Sequence, residues 1–186
     1  MKVTAIHRAP GAPVDTVPRI SHYPGSAVFH GNKPFFIPEI SENWVARPAI
    51  AMRLCRLGKS IDRRFAPRYY DAAAPALIFV PTDIEQQSGM DGMISAIDNT
   101  VAIGQWQPLP DVGTQVWHLE WPGGSIDIDT DVLAADEAIE SVSRFMTIQM
   151  GDALLPFTIA SSLPAIRNTQ ISVSLNNNNP FTVRIK

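Results

Sequence analysis

Short alternating stretches of hydrophobic and polar residues run through this chain and predict β-strands. Residues 49–57 read AIAMRLCRL, and Ile50, Met52 and Leu54 fall on one side of the alternation. A period of two is typical of a strand with one buried face, so we expect a half-buried strand here. Residues 116–121 alternate in the same way, and the Pro-Gly-Gly sequence that follows them predicts a turn.

Other apolar runs are shorter, and one stretch has clear helical spacing. Runs that end near proline, glycine or asparagine predict further strands at residues 3–6, 76–80, 153–159, 171–175 and 181–185. Residues 132–144 carry an apolar stripe with a period of 3.6, and Asp131 is the candidate N-cap of that helix. A short helix is also predicted at residues 63–70.

The composition favours one globular domain built mainly from strands. A chain of 186 residues is large enough for a single hydrophobic core, so residues 1–186 are predicted to form one domain. Its 16 prolines are roughly twice the average share, and proline disfavours helix interiors. We therefore predict an α+β fold that is predominantly β, with few short helices.

Charge and cysteine content argue against several classes of partner. The net charge of −3 indicates no basic face that would attract nucleic acid. The single cysteine, Cys55, cannot form an intrachain disulfide. The N-terminus lacks a signal-peptide pattern, and no apolar run approaches the ~18 residues that cross a bilayer. These features predict a cytoplasmic protein without a membrane or nucleic-acid partner.

The residues alone offer one candidate metal site. Asp127, Asp129 and Asp131 follow an i, i+2, i+4 spacing, which on a strand would place three carboxylates on one face and suit Ca²⁺ or Mg²⁺. We favour the alternative, a solvated strand edge that leads into a helix N-terminus. Sequence motifs of zinc sites, phosphate-binding loops and serine-hydrolase elbows are absent.

Five segments, in this order along the chain, resemble segments of the fumarylacetoacetate hydrolase family. They read GNKPFFIP (31–38), RLGKSI (56–61), RRFAPRYYD (63–71), IDNTVAIGQW (97–106) and VSRFMTIQMGDALL (142–155). In the last segment Ser143, Thr147, Gly151 and Asp152 match the family pattern Ser-x-x-x-Thr-Leu-x-x-Gly-Asp-x-Ile. The chain is similar to a divergent, short bacterial member of that family.

The resemblance implies a fold and a chemistry. Members have a mixed β-sandwich or roll with few short helices, and they are usually homodimers. They use a divalent cation such as Mg²⁺ or Ca²⁺ to hydrolyse C–C bonds, decarboxylate or isomerise diketo and oxo-acid substrates. A Glu-x-Glu pair on one strand and an aspartate on the next hold that cation.

The family's metal-binding carboxylates are replaced here. By the resemblance, the three ligand positions fall on Arg47, Ala49 and Ile78, so no metal cofactor is expected. Neighbouring functional positions also differ, since the family's upstream lysine, its glutamine and a later lysine become Tyr23, Glu85 and Ser95. An arginine adds a fixed positive charge where a cation would bind. Metal-dependent turnover of the family type is therefore not expected.

Three functional hypotheses remain. The favoured one is a catalytically degenerate binding, structural or regulatory protein, in which Arg47 binds a small oxo-acid or dicarboxylate. It would form a homodimer or pair with an active paralogue. The second is an active hydrolase, isomerase or decarboxylase with a relocated metal site, at the Asp127 group or at Asp83 and Glu85. The third is an unrelated function on the same fold, so enzymatic activity stays open.

Overall fold

The computed structural model describes residues 1–13, 19–31, 33–109, 116–129 and 134–186. The strands are β1 (Val3–Ile6), β2 (Ile20–Tyr23), β3 (Val28–His30), β4 (Trp44–Leu54), β5 (Tyr70–Pro81), β6 (Val101–Ile103), β7 (Gln107–Pro108), β8 (Val116–Trp121), β9 (Gly124–Asp129), β10 (Ala153–Leu155), β11 (Leu163–Pro164), β12 (Gln170–Leu175) and β13 (Phe181–Arg184). The α-helices are α1 (Thr82–Glu85), α2 (Asp91–Ala96) and α3 (Ala135–Phe145), and 3-10 helices span Gly25–Ala27 and Arg63–Arg68.

The described strands form two sheets. The larger sheet has the order β2-β1-β10-β4-β5-β6-β3, with β11 also paired to β4 and β7 to β5. It is mixed, because β1 runs parallel to β10 and β3 runs parallel to β6, while its other pairs are antiparallel. The smaller sheet has the order β13-β12-β8-β9. The fold is α+β and predominantly β, as the sequence predicts.

The long antiparallel pair β4–β5 is the centre of the larger sheet. Ile50, Ala51 and Met52 are each no more than 2% exposed, so β4 is buried on both faces in this region. The prediction of a half-buried strand was therefore wrong for residues 49–52, whereas the partly exposed Arg53 and buried Leu54 follow the predicted alternation. Ile50 and Met52 pack into the core between the sheets, and Ala51 packs into a second cluster on the opposite face. The alternating pattern was misleading because alanine is small and only weakly hydrophobic, so Ala51 did not indicate a second buried face.

The two sheets share one hydrophobic core. Trp117, Leu119 and Val173 of the smaller sheet belong to the same buried cluster as Phe79 of the larger one. Phe35 stacks on Phe79 with ring centroids 3.9 Å apart and meets Trp44 edge-on at 5.4 Å. Aromatic pairs of this kind bury large areas and join the layers. The smaller sheet thus packs against one face of the larger sheet.

Two helices lie at predicted positions, with differences at their ends, whereas α1, α2 and the 3-10 helix Gly25–Ala27 were not predicted. Residues 63–70 were predicted to form a short helix, and a 3-10 helix forms over Arg63–Arg68, with the Asp62 carboxylate accepting a hydrogen bond from Arg64 N. The helix predicted at 132–144 is α3, whose apolar stripe is buried. Its proposed cap, Asp131, lies outside the described residues. No helix among the described residues is long and apolar enough to cross a membrane.

Candidate functional site

A small pocket with both polar and apolar lining lies beside the centre of the β4–β5 pair. Arg47 and Ile78 are direct cross-strand partners, and Ala49 follows two positions along β4 on the same face as Arg47. All three line the pocket, so the positions at which the resemblance places the family's metal ligands lie together. The free volume is about 30 Å³. That is room for one or two water molecules.

Arg47 is paired with a carboxylate inside this pocket. Its Nη1 and Nη2 atoms each donate to an oxygen of Glu85, and both distances are 2.6 Å. The two side chains are 27% and 30% exposed. The hydrogen bond to Glu85 raises the pKa of Arg47, and burial opposes this with a smaller effect. Glu85 is the last residue of α1, which directly follows β5, so this helix carries the carboxylate to Arg47.

A second polar group lines the pocket from β1 and β2. His7 Nε2 and Ser21 Oγ lie 2.7 Å apart. Burial lowers the pKa of His7, and the charge of Arg19 lowers it further, so the ring is neutral at pH 7. Tyr23 is only 4% exposed, and burial raises its pKa to about 12. These groups are the neutral hydrogen-bonding part of the pocket, and its charged part is the Arg47–Glu85 ion pair together with Asp91, which pairs with Arg19.

Comparisons with known proteins show what this architecture is. Neither a family model nor a curated protein sequence matches the chain. Solved structures do match, among them a 5-carboxymethyl-2-hydroxymuconate delta-isomerase from Mycobacterium smegmatis, with a TM-score of 0.83 and 19% identity over 99% of this chain and 78% of that one. A fumarylacetoacetate hydrolase family protein from Yersinia pestis matches with a TM-score of 0.81 and 19% identity, over 100% and 92% of the chains. The chain has the fumarylacetoacetate hydrolase fold.

A third structure with this fold contains a metal. It is a fumarylpyruvate hydrolase from Pseudomonas aeruginosa in complex with Mn²⁺ and pyruvate, with a TM-score of 0.81 and 18% identity over 100% of this chain and 89% of that one. At such identities the likeness extends to the fold alone. Whether the present chain can bind a metal has to be judged from its own residues.

The residues of the pocket do not fit a divalent cation of the kind this fold can hold. A hard cation requires several oxygen ligands, with carboxylates to balance its charge. Here Glu85 is already neutralised by Arg47, and the guanidinium would repel the ion. Ile78 adds only hydrocarbon. Among the residues that the structure describes, no three His, Cys, Asp or Glu side chains come together as a metal site.

The proposed relocated sites are not assembled in the described residues. Asp127 and Asp129 are exposed on β9, and Asp127 pairs with His118 across the strands at 2.5 Å. Their predicted companion, Asp131, lies outside the described residues. Asp83 accepts hydrogen bonds from Ser41 Oγ at 2.6 Å and Ile84 N at 2.9 Å, and the bond from Ser41 lowers its pKa. It therefore helps to start α1, and no contact joins it to Glu85.

The residues near the C-terminus that match the family pattern form hydrogen bonds and an ion pair within the fold. Ser143 Oγ accepts a hydrogen bond from Ile61 N at 2.9 Å. Gly151 has φ +87°, which glycine adopts without strain. Asp152 accepts from Gln149 N at 2.9 Å and forms an ion pair with Lys2 at 2.9 Å. Gly151 and Asp152 hold the turn before β10, and Ser143 holds the loop after β4. None of the three lines the pocket, so they can remain while the pocket residues differ.

The pairing of Arg47 with Glu85 is the feature that sequence reasoning missed. From the sequence, Glu85 stands only at the family's glutamine position and in one of the candidate relocated metal sites. The two residues are 38 positions apart, and no local pattern links them. A useful signal was nevertheless present: an arginine and a glutamate replace two uncharged or acidic positions of one pocket, and opposite charges in a half-buried pocket are stable only together.

Proposed function

We propose that this chain is a catalytically degenerate protein of the fumarylacetoacetate hydrolase fold, with a binding or structural role and no metal-dependent turnover. The Arg47–Glu85 ion pair carries this proposal, because it places a permanent cation in the pocket and uses the carboxylate of Glu85 to neutralise it. A guanidinium has no open coordination position and cannot activate water as a metal ion does. Metal-dependent chemistry thus lacks its ligands here.

The ligand class that fits Arg47 is a small oxo-acid or dicarboxylate. Guanidinium binds a carboxylate through two parallel hydrogen bonds, and Glu85 uses that geometry now. The free volume of about 30 Å³ leaves no room for such a ligand beside Glu85. We therefore propose that the ligand's carboxylate takes the place of the Glu85 carboxylate, with a small movement of α1.

Metal analysis tests the loss of turnover. The chain, expressed and purified with Mg²⁺ and Mn²⁺ in excess, is dialysed and its bound metal is measured by elemental analysis, with calorimetric titration of both ions. We expect far less than one ion per chain and no saturable heat. One tightly bound ion per chain would contradict the proposal and support the alternative, an active hydrolase, isomerase or decarboxylase with a relocated metal.

Calorimetric titration with oxalate tests the ligand class separately. Wild type is compared with Arg47→Ala, with Glu85→Gln and with the control Arg144→Ala, whose arginine forms a surface ion pair with Glu140 away from the pocket lining. We expect Arg47→Ala to abolish binding, Glu85→Gln to strengthen it by removing the competing charge, and Arg144→Ala to leave it unchanged. Equal affinities in wild type and Arg47→Ala would rule out this ligand site.

Assembly and location belong to the same proposal. We propose a homodimer, or a dimer with an active paralogue, in the cytoplasm. A binding protein that has lost turnover can still act through the surface that it shares with an active partner. Analytical ultracentrifugation of the chain alone gives the first test, and a monomer at all concentrations would leave only the mixed dimer.

A further inference from the structure

Positive charge is concentrated in one short part of the chain. Residues 53–68 contain six of the 15 lysines and arginines but only one of the 18 acidic residues, Asp62. The whole chain has a net charge of −3, so this segment differs sharply from the rest. It covers the end of β4, the loop after it and the 3-10 helix Arg63–Arg68. The chain therefore has a local basic surface although its net charge is negative.

Half of these cations form ion pairs, and the other half do not. Arg53 pairs with Asp71 at 2.7 Å, Arg63 with Glu137 at 2.5 Å, and Arg64 with Asp62 at 3.4 Å. The remaining three are Arg56, Lys59 and Arg68. Among the residues that the structure describes, none of these three forms an ion pair or a side-chain hydrogen bond.

The three unpaired cations line one open surface pocket of about 410 Å³. This volume falls within the range of small-molecule sites, about 300–1,000 Å³, and one side of it faces solvent. Two aromatic side chains, Phe65 and Tyr69, line it as well. The Arg68 guanidinium lies 5.4 Å from the centre of the Phe65 ring, an arrangement that holds its charge near the cavity. The one acid in the lining, Asp62, is already bonded to Arg64.

We propose that this cavity, which we call the basic pocket, binds a small molecule that carries phosphate. Three unpaired cations match the double negative charge of a phosphate monoester, since arginine offers a planar fork of donors and lysine a compact point charge. The cavity is larger than a phosphate group alone needs. Phe65 and Tyr69 provide an apolar and aromatic surface for the organic part of such a ligand.

The basic pocket is separate from the pocket that contains Arg47. Arg56 follows Arg47 by nine positions, and most of that span is the extended strand β4. At about 3.3 Å per residue, the seven steps from Arg47 to Leu54 at the end of β4 already span roughly 23 Å. A phosphate ligand in the basic pocket therefore neither needs Arg47 nor depends on the proposed loss of turnover.

The test uses the full chain with two probes, pyrophosphate and phenyl phosphate, in calorimetric titrations. Lys59→Glu is compared with Lys33→Glu, which makes the same charge reversal at an exposed lysine elsewhere. We expect Lys59→Glu to weaken binding about tenfold or more, because a charged hydrogen bond becomes a repulsion. Lys33→Glu and Arg47→Ala are expected to change the affinity less than about twofold.

Two further measurements locate the ligand and cover a failure of folding. Arg68→Gln keeps most of the side-chain stem and removes the charge, so it replaces Lys59→Glu if that variant unfolds. In amide NMR spectra of the wild type, shifts caused by phenyl phosphate should concentrate around Ser60 and Tyr69. Phe65→Ala is expected to weaken phenyl phosphate more than it weakens pyrophosphate.

Three outcomes would overturn the proposal. The first is the absence of saturable binding of either probe by the wild type. The second is equal weakening by Lys59→Glu and Lys33→Glu, which would indicate attraction to the overall charge. The third is a single-stranded oligonucleotide that binds far more tightly than both probes and displaces them, which would make the basic pocket part of a nucleic-acid surface.

Discussion

At the scale of single residues, the charges of the Arg47 pocket are arranged differently from those that the resemblance implies. The resemblance places carboxylates at residues 47 and 49, around a free metal cation. In this chain the cation is the guanidinium of Arg47, covalently part of β4, and one carboxylate from α1 meets it. The positive charge is therefore permanent and cannot exchange with solvent. This difference supports the proposal that the fold is kept here without metal-dependent turnover.

The strength of the Arg47–Glu85 pair can be measured by a double-mutant cycle. From urea denaturation of wild type, Arg47→Ala, Glu85→Ala and the double variant, we expect a coupling of about 1–2 kcal/mol, since the pair is bidentate and half-buried. The same cycle at the exposed pair of Arg19 and Asp91 should give less than about 0.5 kcal/mol. Equal couplings would mean that the Arg47–Glu85 pair behaves as a surface ion pair.

Because the phenol of Tyr23 is buried, we expect the folded chain to lose stability at alkaline pH. Burial raises its pKa to about 12 in the folded chain, against about 10 in the unfolded chain. The phenol keeps its proton to a higher pH in the folded state than in the unfolded state. The contribution of the neutral Tyr23 to folding stability is therefore complete below pH 10 and is lost as the pH rises toward 12. Unfolding free energy should fall by about 2–3 kcal/mol over this window.

Urea denaturation of Tyr23→Phe over the same pH range provides the check. The variant should lose stability less steeply than wild type, because it has no phenol to ionise at this position. Some decline should remain, since burial also raises the pKa of Tyr70. Identical slopes in the two proteins would show that Tyr23 ionises with an ordinary pKa.

At the scale of elements, local patterns predicted most strands, and tertiary contacts decided their ends. The strand predicted at 153–159 is only Ala153–Leu155, and Pro156 follows it directly. The strand predicted at 49–57 begins earlier, at Trp44, because the pairing of β4 with β5 continues through residues that lack clear alternation. Pro48 and Pro75 lie within this central pair, although proline has no N–H to donate to a strand ladder.

The loop after β4 provides a prediction at this scale. A Cβ atom at Gly58 would lie 2.5 Å from a Tyr69 ring carbon and 2.7 Å from Ile61, so Gly58→Ala forces both to move. We expect it to lower the free energy of unfolding by about 1–3 kcal/mol. Gly92→Ala in α2 is the control, because its Cβ meets open space, and alanine there should be neutral or slightly stabilising. Thermal denaturation would distinguish them, and equal melting temperatures would contradict the contact.

At the scale of the whole molecule, the shared core joins the two sheets into one cooperative unit. Phe79 is 1% exposed and belongs to the cluster that both sheets form. Phe79→Ala should therefore cost about 3–5 kcal/mol. Phe36, which is 68% exposed, is the matched control, and Phe36→Ala should change stability by less than about 0.5 kcal/mol.

The same experiment tests the prediction that residues 1–186 form one domain. Tryptophan fluorescence and far-ultraviolet circular dichroism should report a single coincident transition, shifted as a whole in Phe79→Ala. Two separate transitions, with only one displaced by the substitution, would show that the sheets unfold independently.

The sequence by itself determined the fold class, the main strands, the helix α3 and the absence of carboxylates at residues 47, 49 and 78. Those features depend on local periodicity and on residue identity, which the sequence contains directly. Only the tertiary structure decided that Arg47 pairs with Glu85, that β4 is buried on both faces and that Arg56, Lys59 and Arg68 surround one cavity. These depend on which distant segments pack together, since a side chain's partner and its exposure are set by neighbours in space.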